Sequence, residues 1–346
     1  MRSKNILCAA ISVVVLLTGC SSKKASTVKP DATPSTTQED TNPKSVTSSE
    51  QKYYAPYTGE EVNKEVLSNV PFLTSVENSP AARPQSGLNS ADIVFELMSE
   101  GGVTRFFALF QKESAPKIGP VRSVRTYFID IAYEYNLPFG HCGGSSDADE
   151  RIKNENLMSM NEMFNGSYYW RDPSIKVREH GLYTSSEKLI TLANKKGYAK
   201  PASSNLKFDK SFWDNISSSV ANSASIRFNG AYTTSYTFKD GLYYKAMNNV
   251  PSVNKEDTKP IAVKNVVIQN VNYRSRVNSP NLDADLIGQG NGYIISNGKA
   301  VKVSWSRSDL KSQTVFKDEK GNIVPLNPGK TWWHILDQEA KLTLAE

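Results

Sequence analysis

The composition of this chain changes sharply near residue 52, and the change limits how much of the chain can fold around a core. Residues 21–51 are rich in Ser, Thr, Pro, Lys and Asp and have almost no large apolar side chains. Such a segment cannot bury enough apolar surface to offset the entropy that folding costs. We therefore expect residues 20–52 to form a disordered tether and the folded part to begin at about residue 53.

The N-terminus before this tether has the features of a bacterial lipoprotein signal. Arg2 and Lys4 give it a charged start, residues 6–17 are apolar, and the lipobox pattern Leu-Thr-Gly-Cys ends at Cys20. The apolar run is shorter than the roughly 20 residues that a membrane-spanning helix needs, and a short run of this kind is typical of a cleaved signal. We predict a signal peptide over residues 1–19 and the attachment of acyl chains such as palmitate to Cys20.

Two or more acyl chains on one cysteine are enough for stable membrane anchoring. The sequence therefore predicts a protein held on the extracytoplasmic face of the bacterial cell membrane. Of the three cysteines, Cys8 leaves with the signal and Cys20 is acylated, so Cys142 remains a single free thiol and no disulfide scaffold is expected. The net charge is +6, from 41 basic and 35 acidic residues, with no long basic run, and this balance does not indicate nucleic-acid binding.

The first half of the folded part alternates strands with helices. Apolar, β-branched and aromatic runs predict strands at 70–76, 91–97 and 104–110. Residues 123–135 place their apolar side chains on one helical face, and capping-box patterns at 146–149 and 184–187 predict two more helix starts. This alternation predicts an α/β domain over residues 53–218.

The second half is predicted to be mostly β. Asp240-Gly241 and Asn297-Gly298 lie between strand-like runs, and such pairs favour two-residue hairpin turns because both positions need positive φ. Lys320-Gly321-Asn322 gives a third turn signal. The sequence thus predicts the α+β class, with a β-rich C-terminal domain over residues 219–346. The tyrosines and tryptophans of this half are expected to pack in its core.

Arginine and glycine are concentrated between residues 99 and 184. Four arginines are candidates for one shared anion site: Arg105, Arg122, Arg125 and Arg171. Guanidinium groups bind phosphate and carboxylate through paired hydrogen bonds. Gly143, Gly144 and Ser145 precede a predicted helix, where free backbone N–H groups favour anions. The alternative, that each arginine pairs with a nearby acid such as Glu100 or Asp172, remains open.

Histidines give a second set of candidates in the same stretch. His141 and His180 lie beside glycines and have the side chain best suited to acid–base chemistry near neutral pH, with Asp147 or Glu100 as assisting carboxylates. A structural role for each histidine is an equal alternative. The spacing of His and Cys matches no metal-binding motif, and no nucleotide fingerprint occurs, so neither a metal nor a cofactor is predicted.

Four motifs in order along the chain resemble the YerB-like family of bacterial lipoproteins. They are the segments 83–88, 91–94, 100–105 and 118–125, extended by His141 with its following glycines and by the turn at 180–184. The second half matches the family's second domain more loosely. The resemblance implies a two-domain extracytoplasmic lipoprotein and brings no established reaction with it.

Two functions follow as hypotheses. The first is a binding or scaffold module at the cell envelope, which would recognise an anionic cell-wall component or a protein partner through the surface of residues 99–184. The alternative is an envelope hydrolase that cleaves a phosphodiester or glycosidic bond, with arginines holding the anion and His141 or His180 as acid or base. The sequence leaves open whether the protein is an enzyme.

Overall fold

A mixed β-sheet of eleven strands is the central element of the structure, a computed structural model that describes residues 51–346. Residues 1–50, with the predicted signal peptide, Cys20 and most of the predicted tether, lie outside the described part. The helices are α1 (Thr126–Tyr135), α2 (Ser146–Asn154), α3 (Ser186–Lys195) and α4 (Lys210–Asn215).

The strands of the first half, in chain order, are β1 (Tyr53–Tyr54), β2 (Glu61–Val62), β3 (Phe72–Glu77), β4 (Ile93–Met98), β5 (Thr104–Phe110), β6 (Phe139–His141), β7 (Ser159–Asn161), β8 (Trp170–Arg171) and β9 (Leu182–Tyr183). Those that follow are β10 (Ser219–Val220), β11 (Ser223–Arg227), β12 (Thr233–Lys239), β13 (Leu242–Met247), β14 (Val250–Pro251), β15 (Ala262–Val263), β16 (Asn265–Val271), β17 (Tyr273–Ser275), β18 (Leu282–Ala284), β19 (Gly288–Ser296), β20 (Lys299–Arg307), β21 (Val315–Lys317), β22 (Thr331–Asp337) and β23 (Lys341–Ala345).

The large sheet has the order β10-β20-β19-β16-β22-β4-β5-β3-β6-β7, with β21 beside β20. β16, β22 and β4 are parallel, as are β3, β6 and β7. β5 is antiparallel to both β3 and β4, so β3 and β4 run in the same direction. All six strands other than β5 that are named here, β3, β4, β6, β7, β16 and β22, are therefore parallel to one another. Their carboxyl ends therefore lie along one edge of the sheet, which we call the carboxyl edge.

Strands from both halves of the sequence make up this sheet. β22 pairs with β16 on one side and with β4 on the other, and residues 51–346 form one compact unit by their contacts. The α+β class is confirmed, with the helices in the first half and mostly strands in the second. The boundary between residues 218 and 219 remains a prediction.

The large sheet is covered on both faces, which explains why its central strands β3, β4 and β22 are buried along almost their whole length. One core contains Leu73 and Phe107 from the sheet and Phe128 from α1. The other core contains Phe106 from the sheet and Tyr236 from β12. The second layer on that face is a six-stranded antiparallel sheet of order β14-β13-β12-β11-β23, with β15 beside β13.

Several local predictions are confirmed. β5 has the bounds that the sequence predicts, and α1 begins three positions after the predicted start and ends at Tyr135. Asp240-Gly241 and Asn297-Gly298 form hairpin turns in which all four residues have positive φ. Two helices begin close to the predicted capping boxes, each with its N-cap one residue from the predicted one. Ser145 instead of Ser146 precedes α2, and Ser185 instead of Thr184 precedes α3. No helix between residues 51 and 346 is long and apolar enough to cross a membrane.

A fully buried charged cluster joins the two sheets. Glu96 of β4 accepts hydrogen bonds from the Trp332 indole at 2.7 Å and the Thr104 hydroxyl at 2.8 Å. Its Oε2 also lies 3.6 Å from both Lys245 Nζ of β13 and His334 Nδ1 of β22. Burial lowers the pKa of Lys245 to about 8. The Glu96 carboxyl has a pKa below its usual range, since Lys245 and His334 outweigh the effect of its burial.

This cluster gives a stability prediction. Replacing Lys245 by Met keeps the side-chain volume but leaves the Glu96 carboxylate buried without its nearest cation, which costs about 3 kcal/mol of unfolding free energy. Urea unfolding of residues 51–346 measures the change. The matched control is the double variant Lys245→Met with Glu96→Gln, which removes both charges and should recover most of the loss. Equal stability of wild type and Lys245→Met would contradict the expectation.

Candidate functional site at the carboxyl edge

The sequence-predicted arginines meet at the carboxyl edge of the large sheet. Arg105 is the second residue of β5, which starts at this edge, and Arg122 and Arg125 lie in the segment that enters α1. Glu77, the last residue of β3, is directly opposite Arg105 in the antiparallel pair of β3 and β5. In sheets with parallel strands this edge is the usual place for ligand binding.

Arg125 and Arg105 share the carboxylate of Glu100. Arg125 donates from Nε to Glu100 Oε1 and from Nη2 to Oε2 at 2.9 Å, a bidentate pair. Arg105 Nη2 lies 3.8 Å from the same Oε2, while its Nη1 donates to the Ser123 carbonyl at 2.7 Å. Burial favours the neutral carboxyl, but hydrogen bonds from Arg125 and Ser99 lower the pKa of Glu100 to about 2.

Arg105 is the least compensated member of this group. Its side chain is 12% exposed. Burial, and after it repulsion from Arg125, lowers the pKa of the Arg105 guanidinium to about 10. The nearest carboxylate oxygen to this shielded guanidinium is 3.8 Å away, and an anion at closer range would stabilise its charged form.

Arg122 forms a neighbouring network with Glu77. Its Nε lies 3.2 Å from Glu77 Oε2, and its Nη1 lies 3.4 Å from Glu179 Oε2. His180 Nδ1 is 2.9 Å from the same Oε2 of Glu77. The Glu77 side chain is 6% exposed, so this carboxylate is held almost entirely by its protein partners. His180 is thus fixed by a carboxylate, as histidines with defined orientation commonly are.

Arg171 lies at the rim, with Cys142 and Glu162. Its Nη2 is 3.8 Å from Glu162 Oε1, and its Nη1 donates to the Arg178 carbonyl at 2.8 Å. The Cys142 thiol donates to Glu162 at 3.3 Å, and burial, followed by this carboxylate, raises the pKa of the thiol to about 11. Cys142 is therefore a thiol at neutral pH and not an activated nucleophile. A shallow depression of about 300 Å³ is lined by Arg171, Val177, Arg178 and Glu179.

The loop of Gly143, Gly144 and Ser145 connects β6 to α2 beside this network. Gly143 has a φ of 67°, and its N–H donates to the Asn161 amide at 3.0 Å. A Cβ on Gly144 would lie 2.6 Å from Asp149 Oδ1. The first turn of α2 carries two acids of its own, Asp147 and Asp149, whose charges favour the positive end of the helix dipole. An anion bound by this loop would lie close to these two carboxylates.

His141 and Asp147 do not join the arginines as acid–base groups. The His141 ring is buried, with Nδ1 at 2.8 Å from the Gly143 carbonyl and Nε2 at 2.7 Å from Ser159 Oγ. Both ring nitrogens are occupied, and burial lowers its pKa to about 4. Asp147 pairs with Arg276 at 2.7 Å. Of the two candidate histidines, only His180 reaches the arginine network, through Glu77.

Three acids of this edge were missed by sequence reasoning: Glu77, Glu162 and Glu179. Glu77 directly follows the apolar run of β3, and a charge at the end of a buried strand was a usable signal. Glu162 and Glu179 are in short loops where nothing in the sequence distinguishes them. Among residues 51–346, no three His, Cys, Asp or Glu side chains are grouped so that they could hold a metal ion.

The two buried histidines give a pH prediction. His141 and His334 have pKa values of about 4, lowered from 6.5 by burial. Between these values the unfolded chain binds more protons than the folded chain, so the free energy of unfolding falls as the pH falls from 6.5 to 4. We expect His141→Gln to make this slope shallower by up to about 1.4 kcal/mol per pH unit. Urea unfolding at several pH values tests it, and identical slopes would contradict it.

Comparison with known proteins places this architecture in a family. Models of the N-terminal and C-terminal domains of a protein of unknown function, DUF3048, match residues 57–199 and 224–333. The chain is 31% identical to the "Putative lipoprotein YerB" of Bacillus subtilis (strain 168), over 97% of this chain and 96% of that protein. The crystal structure of the YerB protein from Bacillus subtilis matches with a TM-score of 0.76 and 30% identity, over 84% of this chain and 100% of that one. The chain therefore belongs to the DUF3048 family, with both of its domains and the fold of YerB.

Proposed function

We propose that this protein is a lipoprotein anchored through Cys20 on the extracytoplasmic face of the cell membrane. The lipobox directly after a short apolar run supports this, as does the similarity over nearly the whole chain to a protein described as a putative lipoprotein. The tether predicted over residues 20–52 holds the folded part away from the lipid surface, with a reach of about 30 Å for a flexible coil.

The anchor is tested by Cys20→Ala in the full chain. The substitution removes the only acyl acceptor of the lipobox, so the protein should move from the membrane fraction to the soluble fraction and lose incorporation of labelled palmitate. Cys142→Ala is the matched control and should stay in the membrane fraction. Membrane retention of Cys20→Ala after normal signal cleavage would contradict the proposal.

We further propose that the carboxyl edge binds an anionic component of the cell wall. The observation that supports this proposal is the number of shielded acids beside the arginines. Arg105, Arg122 and Arg125 pair with only two carboxylates that are shielded from water, Glu77 and Glu100. Glu179 adds a third acid, but its side chain is 63% exposed, and exposed ion pairs contribute little. Of the three arginines, Arg105 is the farthest from a carboxylate oxygen, at 3.8 Å from Glu100 Oε2.

Glu100 marks the position that the ligand's anion would take. Its two oxygens occupy the fork of Arg125 in the bidentate geometry that phosphate and carboxylate groups also adopt. It lies on a short loop, Glu100–Gly102, in which Gly101 and Gly102 have positive φ and a Cβ at Gly101 would meet open space. Displacing this carboxylate requires movement of this loop, whose Gly102 carbonyl accepts a hydrogen bond from Asn229 Nδ2 at 2.8 Å.

The binding prediction uses two substitutions with opposite effects. Arg125→Ala removes the bidentate donor and should weaken binding of a poly(glycerol phosphate) oligomer about tenfold or more. Glu100→Gln removes the competing charge and should strengthen it. Titration calorimetry with residues 51–346 measures both, and a neutral N-acetylglucosamine oligomer is the ligand control.

The protein control is Lys302→Ala in β20, which removes one positive charge at an exposed position outside the site. If Lys302→Ala and Arg125→Ala weakened binding equally, the total charge of the protein alone would attract the ligand, and a defined site would be contradicted. Weaker binding of the oligomer by Glu100→Gln would contradict the proposal that the ligand's anion takes the place of the Glu100 carboxylate. The hydrolase alternative has less support, because both ring nitrogens of His141 are occupied and only His180 of the two candidate histidines reaches the arginine network.

A further inference from the structure

A separate cleft lies on the other side of the end of β3. Its volume is about 410 Å³, and it is formed by residues 80–85 and by the segment 247–253, which contains β14. Glu77 and Asn78 are consecutive, and consecutive residues of an extended chain point to opposite faces. Glu77 faces the arginine network, whereas Asn78 contacts the floor of this cleft through Arg83 and Gln85.

Arg83 is fixed in place but has no acidic partner. Its Nε donates to Asn78 Oδ1 at 3.0 Å, its Nη2 donates to the Asn78 carbonyl at 2.8 Å, and the guanidinium lies 5.2 Å from the centre of the Tyr232 ring. No Asp or Glu forms an ion pair with Arg83 in the described part of the chain, and Nη1 has no hydrogen-bond partner there. Arg105, Arg122, Arg125 and Arg171 all differ, since each has a carboxylate nearby.

The support for Arg83 is rigid. Asn78 is 1% exposed. Its amide nitrogen donates to Thr104 Oγ1 at 2.7 Å and to the Tyr232 hydroxyl, and its amide oxygen also accepts from Gln85 Nε2 at 2.8 Å. Asn78 already holds two nitrogens of the Arg83 guanidinium. The binding of an anion to the free side of this guanidinium therefore costs little further conformational entropy.

The walls of the cleft are mainly apolar. Pro80, Pro84, Val250, Pro251 and Val253 line it, and Met247 closes its inner end. Val250 is 66% exposed, so its side chain offers apolar surface to a ligand. The polar residues of the lining are Arg83, Gln85, Asn248 and Ser252, and a cavity of this size with mainly apolar walls and a few polar groups is typical of a small-ligand site. Pro251 has no N–H, so the edge of β14 is poorly suited to pairing with an extended peptide.

We infer that this cleft binds an apolar chain carrying one anionic group, with the anion on Arg83 and the chain against Val250 and Met247. The guanidinium supplies the charge that an anionic group needs, and the apolar walls remove the chain from water. The site does not depend on the proposed binding of cell-wall anions, because its residues are distinct from those of the arginine network.

The experiment uses methyl-labelled methionine in residues 51–346, followed by NMR. Apart from Met1 the methionines are Met98, Met158, Met160, Met163 and Met247, of which Met247 reports on the cleft and the exposed Met163 on the carboxyl edge. Octanoate should shift the Met247 signal in a saturable way and leave Met163 unchanged. The neutral analogue 1-octanol should bind about tenfold more weakly, since a charge-assisted hydrogen bond is lost.

Two variants test the assignment of the charge. Arg83→Met should reduce octanoate affinity about tenfold while leaving 1-octanol affinity unchanged. Val250→Glu changes an exposed side chain, so the fold is retained, and its charge should repel octanoate. The inference is overturned if Met247 does not shift, if octanoate and 1-octanol bind equally, if all methionines shift together, or if both variants bind octanoate like wild type.

Discussion

The insertion of β22 between β16 and β4 is the constraint on which the rest of the structure depends. Without this strand, the large sheet would separate into a part built from the first half of the chain and a part built from the second. β22 also carries Trp332 and His334 to Glu96, which places the buried charge cluster where the two sheets meet. The position of a strand late in the chain thus determines the interior of the whole folded part.

The shared direction of six strands then determines where function can be located. Their carboxyl ends bring together loops that are far apart in sequence, and the end of β3 serves two surfaces at once. Glu77 organises Arg122 and His180 on one face, and Asn78 organises Arg83 on the other. A change in the register of β3 by one residue would exchange these two side chains and disrupt both sites.

Local features of this fold could be predicted from the sequence, and long-range ones could not. The bounds of β5 and the two hairpin turns follow from side-chain pattern and from the φ values that Asn-Gly and Asp-Gly favour. The pairing of β22 with β4 joins residues far apart in the chain, and no local pattern encodes it. The sequence predicts the arginines as a group and Glu100 as one of their acidic partners, but it does not predict Glu77 and Glu162, because these acids reach the arginines only through tertiary structure. His141 shows the same limit: its residue type suggested chemistry, and burial removes it from solvent.

The contrast between paired and unpaired arginines separates two modes of anion binding in one molecule. At the carboxyl edge, Glu100 keeps the fork of Arg125 in a bidentate geometry, so a ligand exchanges one anion for another, and the net gain is small unless several groups bind together. A repeating polyanion meets this requirement, whereas a single phosphate does not. At Arg83 no internal anion must be displaced, so one charged group and a modest apolar contact suffice. The two proposed sites therefore differ in the ligand that each would favour, a polymer at the carboxyl edge and a small amphiphile at Arg83.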